Sequence, residues 1–213
     1  DMAKGIGLVF GVELPDNFHY PYQATSVNDF FARFNITVNR YIRRYVYINL
    51  GGAQGSVISG VFNILLVTIL MGLWFGVSLN LLLWGVYFAA FVIFERYFLS
   101  RYMDGIPTLF RWLYTTLVVL VSFAFFSGGT PGQSLGFLKM MFGVGGFATL
   151  ESSKSVLYLL ASHYLVLILA AVSSTGLVGW FAGLWKKHLP RTYGVASAVF
   201  TAALLVVTTA YLL

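Results

Sequence analysis

Long apolar stretches alternate with short polar segments along this chain. A helix that crosses a lipid bilayer needs about 20 mainly apolar residues. Apolar stretches that predict spanning helices lie at residues 57–77, 79–94, 109–126, 156–181 and 195–213. Ser173-Ser174-Thr175-Gly176 interrupts the fourth stretch and predicts a kink, because hydroxyl side chains can satisfy backbone groups that a kink frees. The pattern therefore predicts a bundle of five or six spans.

The segment 26–46 follows a different pattern, in which apolar residues recur at steps of three and four. These positions are Phe30, Phe31, Phe34, Val38, Tyr41, Ile42 and Tyr45, and the arginines between them are Arg33, Arg40, Arg43 and Arg44. Thr25 or Ser26 can cap such a helix, and Asp29 suits its first turn. The spacing predicts a basic amphipathic helix that lies at the membrane interface, or re-enters the membrane under a cover of protein.

Composition indicates that lipid is the solvent for most of the surface. Apolar residues make up 59% of the 213 positions and charged residues 9%, whereas a soluble domain carries about 25% charged residues. The prediction is an all-α integral membrane protein, a multi-span helical bundle that forms one membrane domain over residues 1–213. Because the first residues are already apolar, we expect further chain upstream.

The basic residues predict a topology and a contact with membrane lipid, not a nucleic-acid partner. The formal net charge is +6. The segments richest in Lys and Arg alternate along the chain at 25–55, 95–111 and 182–191. Cytoplasmic loops are enriched in these residues, so these three segments are expected on the cytoplasmic side.

No metal site or other cofactor is expected. The chain has no cysteine, and His19, His163 and His188 are too far apart for a zinc motif. His163 falls inside a predicted span, where an ionisable residue is a functional candidate, but it lies near the outer start of that span, and we interpret it as an interfacial histidine. Glu95 and Arg96 end the second span and are interpreted as snorkelling or paired residues.

Several motifs follow one another in a specific order. NFHYPY occupies 17–22, DFFARFNIT 29–37, YINLGG 47–52, MGLWFG 71–76 and FLKMMFG 137–143. In order and spacing these resemble the membrane-bound O-acyltransferase family, in the branch of alginate O-acetyltransferase and the D-alanyl transferase of teichoic acid. Motifs there read roughly N-F-N-x-P-Y, E-F-W-R-R-W-H-I-S, Y-I-P-L-G-G and G-G-L-W-H-G. The chain resembles the C-terminal half of such a protein.

The resemblance implies a bundle around a tunnel, in a bacterial inner (cytoplasmic) membrane. An acyl donor would enter from one side, and an exported polymer or carrier would accept the acyl group on the other. Other membrane protein subunits, or an extracytoplasmic acyltransferase partner, are expected beside it. The family's essential residue is the histidine of G-L-W-H-G, since imidazole can take a proton from the acceptor hydroxyl near neutral pH.

This sequence departs from the family at its polar positions. Phe75 stands at the essential histidine, and Asn35 stands at the histidine of R-W-H-I-S. Phe88 replaces a third frequent histidine, and Arg44 replaces an aspartate. Phenylalanine has no exchangeable proton, and an amide does not take a proton at neutral pH. No catalytic residue can therefore be assigned.

Two functions stay open at this point. The first is a catalytically degenerate scaffold or a subunit of a larger membrane complex, with Phe75 as an aromatic plug of the tunnel. The alternative is an O-acyltransferase that moves an acetyl or other short acyl group to a hydroxyl of a cell-envelope polysaccharide or lipid. In that case Asn35 would align the acceptor, Trp74 would line the tunnel, and Arg33 or Arg43 would hold a phosphate of the acyl donor. The first is preferred, because no residue near Phe75 can be named as a base.

Overall fold

The computed structural model describes residues 2–52, 54, 56–103, 105–127, 129–144 and 150–212. The α-helices are α1 (Met2–Val9), α2 (Val27–Arg33), α3 (Ile36–Ile42), α4 (Val57–Phe75), α5 (Leu79–Phe94), α6 (Ser100–Met103), α7 (Thr108–Ser127), α8 (Pro131–Met141), α9 (Leu150–Ser174), α10 (Leu177–His188) and α11 (Pro190–Leu212). A 3₁₀ turn, Pro21–Gln23, precedes α2. Two π-helical segments, Arg43–Tyr47 and Glu95–Leu99, continue α3 and α5. No strand occurs in these ranges, and the all-α prediction is confirmed.

Four helical stretches are long and apolar enough to cross a membrane. They are Val57–Phe75, Leu79–Met103, Thr108–Phe126 and Val156–Ser174, counted within the described ranges. These helices confirm an integral membrane protein. The stretch 195–213 falls on α11, and its role as a span stays a prediction. The predicted kink at 173–176 is instead a break between two helices, since α9 ends at Ser174 and α10 begins at Leu177.

Contacts divide the chain into two compact units, Asp1–Ser153 and Lys154–Leu213. The prediction of one domain over 1–213 stays a prediction, and each unit is described by itself. In the second unit α10 packs against α11. Trp185 Nε1 donates a hydrogen bond of 3.1 Å to Thr192 Oγ1 across that pair.

The helices α4 and α5 form the closest pair of the first unit, and glycine makes their approach possible. A Cβ added at Gly72 would lie 2.2 Å from the carbonyl oxygen of Leu81, and one at Gly85 would lie 2.6 Å from that of Thr68. Ser78 caps α5, with its Oγ accepting from the Leu81 amide at 3.2 Å. The two apolar stretches are therefore held as a tight helical hairpin.

The segment 26–46 is not one continuous helix. Ser26 Oγ accepts from the Asp29 amide at 2.9 Å and caps α2, as the sequence indicates. The helix then ends at Arg33, and Asn35 takes a left-handed backbone conformation with φ of 53° before α3 begins. The break turns the chain, so that Phe30, Phe31, Val38 and Ile42 all reach the core from two short helices.

Candidate functional site

Phe75, the last residue of α4, lies against aromatic rings from three other elements. Its ring centroid is 6.1 Å from that of Phe34, 5.7 Å from Trp84 and 5.4 Å from Phe126. Phe75 remains partly accessible, with 38% of its surface exposed. We call this assembly the aromatic cluster, and its members are Phe30, Phe31, Phe34, Phe75, Trp84, Phe88 and Phe126.

Phe88 and Trp84 form the centre of the aromatic cluster on α5. Phe88 is 0% exposed, and its ring lies 4.9 Å from Phe31 and 4.7 Å from Trp84. Trp84 is 2% exposed, and its Nε1 is buried without a hydrogen-bond partner among the described residues. The centre of the cluster is thus apolar except for one indole N–H.

Asn35 is buried beside the cluster, with 5% of its surface exposed. Its side chain makes no capping hydrogen bond to α3. The first turn of α3 is satisfied instead by Asn17, whose Oδ1 accepts from the amide and the hydroxyl of Thr37 at 3.1 and 2.7 Å. Asn17 and the backbone pairing of Phe18 with Phe34 hold the α2–α3 junction in place. The junction in turn presents Phe34 to Phe75.

The predicted phosphate ligands, Arg33 and Arg43, have different surroundings. Arg33 donates to Asp29 at 2.7 Å, one turn earlier on α2, so its charge is already paired. Arg43 begins the first π-helical segment and forms no ion pair among the described residues. Arg43, and not Arg33, is among the lining residues of a cavity in the first unit.

That cavity lies between α2, α3 and the first π-helical segment on one side and α4 and α5 on the other. Its volume is about 340 Å³. The polar lining residues are Asn28, Asn39, Arg43, Tyr47, Thr68 and Arg96, and the apolar ones are Phe31, Ile64, Val67, Met71 and Val92. Phe31 belongs both to this lining and to the aromatic cluster, so the two features adjoin.

The sequence was compared with protein families and with curated proteins. The model of MBOAT, the membrane-bound O-acyltransferase family, matches residues 2–130, more than half of the chain. This chain belongs to the membrane-bound O-acyltransferase family. The aromatic cluster and the cavity described above lie within the matched residues.

Curated relatives include enzymes named for cell-envelope polymers. A peptidoglycan O-acetyltransferase of Helicobacter pylori is 32% identical over 72% of this chain and 30% of its own length. A probable alginate O-acetylase of Azotobacter vinelandii is 28% identical over 85% of this chain and 36% of its own. A teichoic acid D-alanyltransferase of Bacillus subtilis is 23% identical over 58% of this chain and 33% of its own. The chain spans about a third of the length of these O-acyltransferases.

The remaining candidates are not members of the aromatic cluster. Trp74 is 64% exposed on the surface of the first unit, and Arg44 is exposed beside Arg43. His163 lies in the second unit, exposed, with Nδ1 2.8 Å from Ser162 Oγ and 3.0 Å from the carbonyl oxygen of Leu159. No group of three or more His, Asp or Glu residues within the described ranges could hold a metal ion.

Sequence reasoning missed the parts played by Glu95 and Arg96. Glu95 is 5% exposed, and its carboxylate accepts from the amides of Val27 at 2.7 Å and Asn28 at 3.3 Å. It therefore ties α5 to the start of α2. Arg96 Nη1 donates to the hydroxyl of Tyr47 at 2.7 Å and links the two π-helical segments. A π-helical turn is rare and often occurs at functional sites. The residues that Glu95 and Arg96 contact are about 50 or more positions away in the chain, so no local sequence pattern reveals these contacts.

Proposed function

We propose that this chain belongs to a catalytically degenerate membrane-bound O-acyltransferase, which serves as a scaffold or subunit of a complex that acylates a cell-envelope polymer. The carrying observation is the aromatic packing of Phe75. The position at which the family resemblance expects a histidine holds a ring that contacts Phe34, Trp84 and Phe126. None of these four side chains can accept a proton from a hydroxyl at neutral pH.

The loss of a base has a large expected effect on the rate. A positioned general base raises the reaction rate by about 10²–10⁴-fold. Phe88, at a second position where the resemblance expects a histidine, is completely buried among apolar rings. The rings that contact Phe88 include no group that could act as a base. The relatives' names point to peptidoglycan, alginate or teichoic acid as the kind of polymer.

Isolation together with partner proteins is the direct test of this proposed function. We expect the full-length protein, isolated in mild detergent, to bring down other membrane or extracytoplasmic proteins in fixed stoichiometry, and to transfer no acyl group when separated from them. A monodisperse single-chain particle that acylates a polymer would contradict the proposal.

The second candidate is an O-acyltransferase that works without a histidine. It is favoured by two polar groups at the aromatic cluster, the indole N–H of Trp84 and the amide of Asn35. A buried N–H donor can stabilise negative charge that develops on an acyl carbonyl oxygen. Holding two reactants close together in the correct orientation also lowers the activation barrier by several kcal/mol.

Two asparagine variants separate this candidate from the first. If transfer occurs at Asn35, Asn35→Ala in the full-length protein abolishes labelled acyl transfer, whereas Asn49→Ala does not, because Asn49 is exposed and bonds only the Tyr45 carbonyl oxygen in the structure. Equal activity in both variants and the wild type would exclude a role for Asn35.

A further inference from the structure

A groove runs along α11 in the second unit, and it plays no part in the proposed function. Its volume is about 740 Å³, within the usual range for small-molecule sites, about 300–1,000 Å³. Beyond its first residues, its lining on α11 consists of Thr192, Val195, Ala196, Val199, Phe200 and Ala203. This spacing places side chains on one face of an α-helix, so the groove is a continuous strip along the helix axis.

The groove is polar at one end and apolar along the rest. Arg191 and Thr192 lie at the start of α11, and Trp185 of α10 lines the same end. Thr192 Oγ1 accepts from Trp185 Nε1 at 3.1 Å and donates to the carbonyl oxygen of Leu189 at 3.0 Å. The hydroxyl proton of Thr192 is therefore already used, and Arg191 supplies the donors that face a ligand at this end.

The charge of the second unit has one sign. Residues 154–213 contain Lys154, Lys186, Lys187 and Arg191, and they contain no Asp or Glu. Arg191 forms no ion pair among the described residues. The sequence predicts that 182–191 lies on the cytoplasmic side, where anionic lipids attract basic residues beside a span. An anion is therefore the complement that the polar end of the groove lacks within this unit.

The length of the groove fits one leaflet of a bilayer. From Thr192 to Ala203 the helix rises about 16 Å, at about 1.5 Å per residue. The hydrocarbon core of a bilayer is about 30 Å thick, so one leaflet contributes about 15 Å. With α11 as a span, as the sequence predicts, Trp185 lies at the level of the headgroups, where tryptophan is enriched. An acyl chain on the strip then has its headgroup beside Arg191.

We propose that this groove binds one anionic phospholipid of the bilayer, with the headgroup phosphate on Arg191 and an acyl chain along α11 as far as Ala203. The planar fork of donors on arginine suits a phosphate. A zwitterionic phospholipid also carries a phosphate, but its ammonium group has the same sign of charge as Lys186 and Lys187. The site therefore selects anionic lipid. The inference does not depend on whether the protein transfers an acyl group.

Quenching of Trp185 fluorescence by brominated lipid tests this site. The full-length protein in phosphatidylcholine nanodiscs receives a minor share of either brominated phosphatidylglycerol or brominated phosphatidylcholine. The signal of Trp185 is the difference between the wild type and Trp185→Phe. We expect half-maximal quenching at an about tenfold lower share of phosphatidylglycerol, because the charge-assisted hydrogen bonds of Arg191 favour the anionic lipid.

Two pairs of variants, each measured with and without Trp185→Phe, separate charge from shape. Arg191→Gln is expected to reduce the preference to about twofold or less, whereas Arg101→Gln, at an exposed arginine of the first unit, retains it. Ala196→Phe fills the groove and is expected to reduce quenching by both lipids. Ala198→Phe, on α11 but outside the lining, is the control for shape. Arg191 is exposed and has no ion pair, so its variant is expected to fold.

Three results would contradict the lipid site. Equal quenching by the two brominated lipids in the wild type would exclude selection of an anionic headgroup. An Arg101→Gln effect equal to that of Arg191→Gln would show a general attraction between a basic protein and anionic lipid. The absence of quenching by either lipid would show that protein, and not lipid, covers the groove.

Discussion

At the residue scale, Phe88 shows how the aromatic cluster is held together. The side chain has no exposed surface and touches rings from α2 and α5. We expect Phe88→Ala to lower the free energy of unfolding by about 3–5 kcal/mol, the usual cost of a cavity left by a buried phenylalanine. Thermal unfolding in detergent is the measurement, and Phe110→Ala, at a side chain that is 61% exposed, is the control. Equal midpoints for the two variants would show that the cluster contributes nothing to stability.

A second residue-scale prediction concerns the carboxylate of Glu95. Glu95→Ala leaves the amides of Val27 and Asn28 without their acceptor, and a buried unsatisfied donor costs about 1–3 kcal/mol. Glu95→Gln retains one oxygen acceptor and is expected to fall between Ala and the wild type. The unfolding midpoint measures this order, with Glu13→Gln at an exposed glutamate as the control. A midpoint for Glu95→Ala equal to that of the control would contradict the assigned contact.

Some residue roles could be predicted from the sequence and others could not. The cap of α2 by Ser26 depends on neighbours three positions apart, so a local pattern reveals it. The sequence predicts that either Arg33 or Arg43 holds a phosphate and does not distinguish between them. In the structure Arg33 is paired with Asp29, whereas Arg43 lines the cavity. The partner of Arg43 in the cavity, Arg96, comes from a different helix. Its position depends on how α4 and α5 pack, which no motif encodes.

At the element scale, the hairpin of α4 and α5 depends on two glycines at the contact. A Cβ at Gly85 would lie 2.6 Å from the Thr68 carbonyl oxygen and 2.7 Å from Ile69 Cα, both backbone atoms that cannot move aside. We expect Gly85→Ala to separate the helices and lower the unfolding midpoint, or prevent folding. Gly136→Ala in α8 is the control, because a Cβ there meets no atom within 4 Å. A Gly85→Ala protein as stable as this control would contradict the close packing.

The long apolar helices could be predicted from the hydropathy of the sequence, because a helix that crosses a lipid bilayer is recognised by its length and its apolar composition. The break at Asn35 could not be predicted from the sequence. The three- and four-residue spacing of 26–46 continues through it, while the left-handed backbone of Asn35 divides the segment into α2 and α3. Contacts from Asn17 to Thr37 stabilise that break, and they lie outside any local window.

At the scale of the whole molecule, the distribution of basic residues predicts that 25–55, 95–111 and 182–191 share the cytoplasmic side. These 213 residues contain no cysteine, so the single variants Arg43→Cys, Arg101→Cys and Lys187→Cys each add one thiol at a known position. We expect an impermeant maleimide to label all three from the same side of sealed membrane vesicles. Labelling of any one of them from the opposite side would overturn this topology.

We propose that the aromatic cluster stands in place of the base that the O-acyltransferase family resemblance expects at Phe75. The most direct measurement is transfer of a radiolabelled acetyl group by the purified full-length protein, for the wild type, Phe75→His and Asn35→Ala. We predict no transfer by the wild type above a protein-free blank, since no base lies at Phe75 or in its contacts. Transfer that appears in Phe75→His would show that the rest of the site is intact. Transfer by the wild type that Asn35→Ala abolishes would contradict the claim.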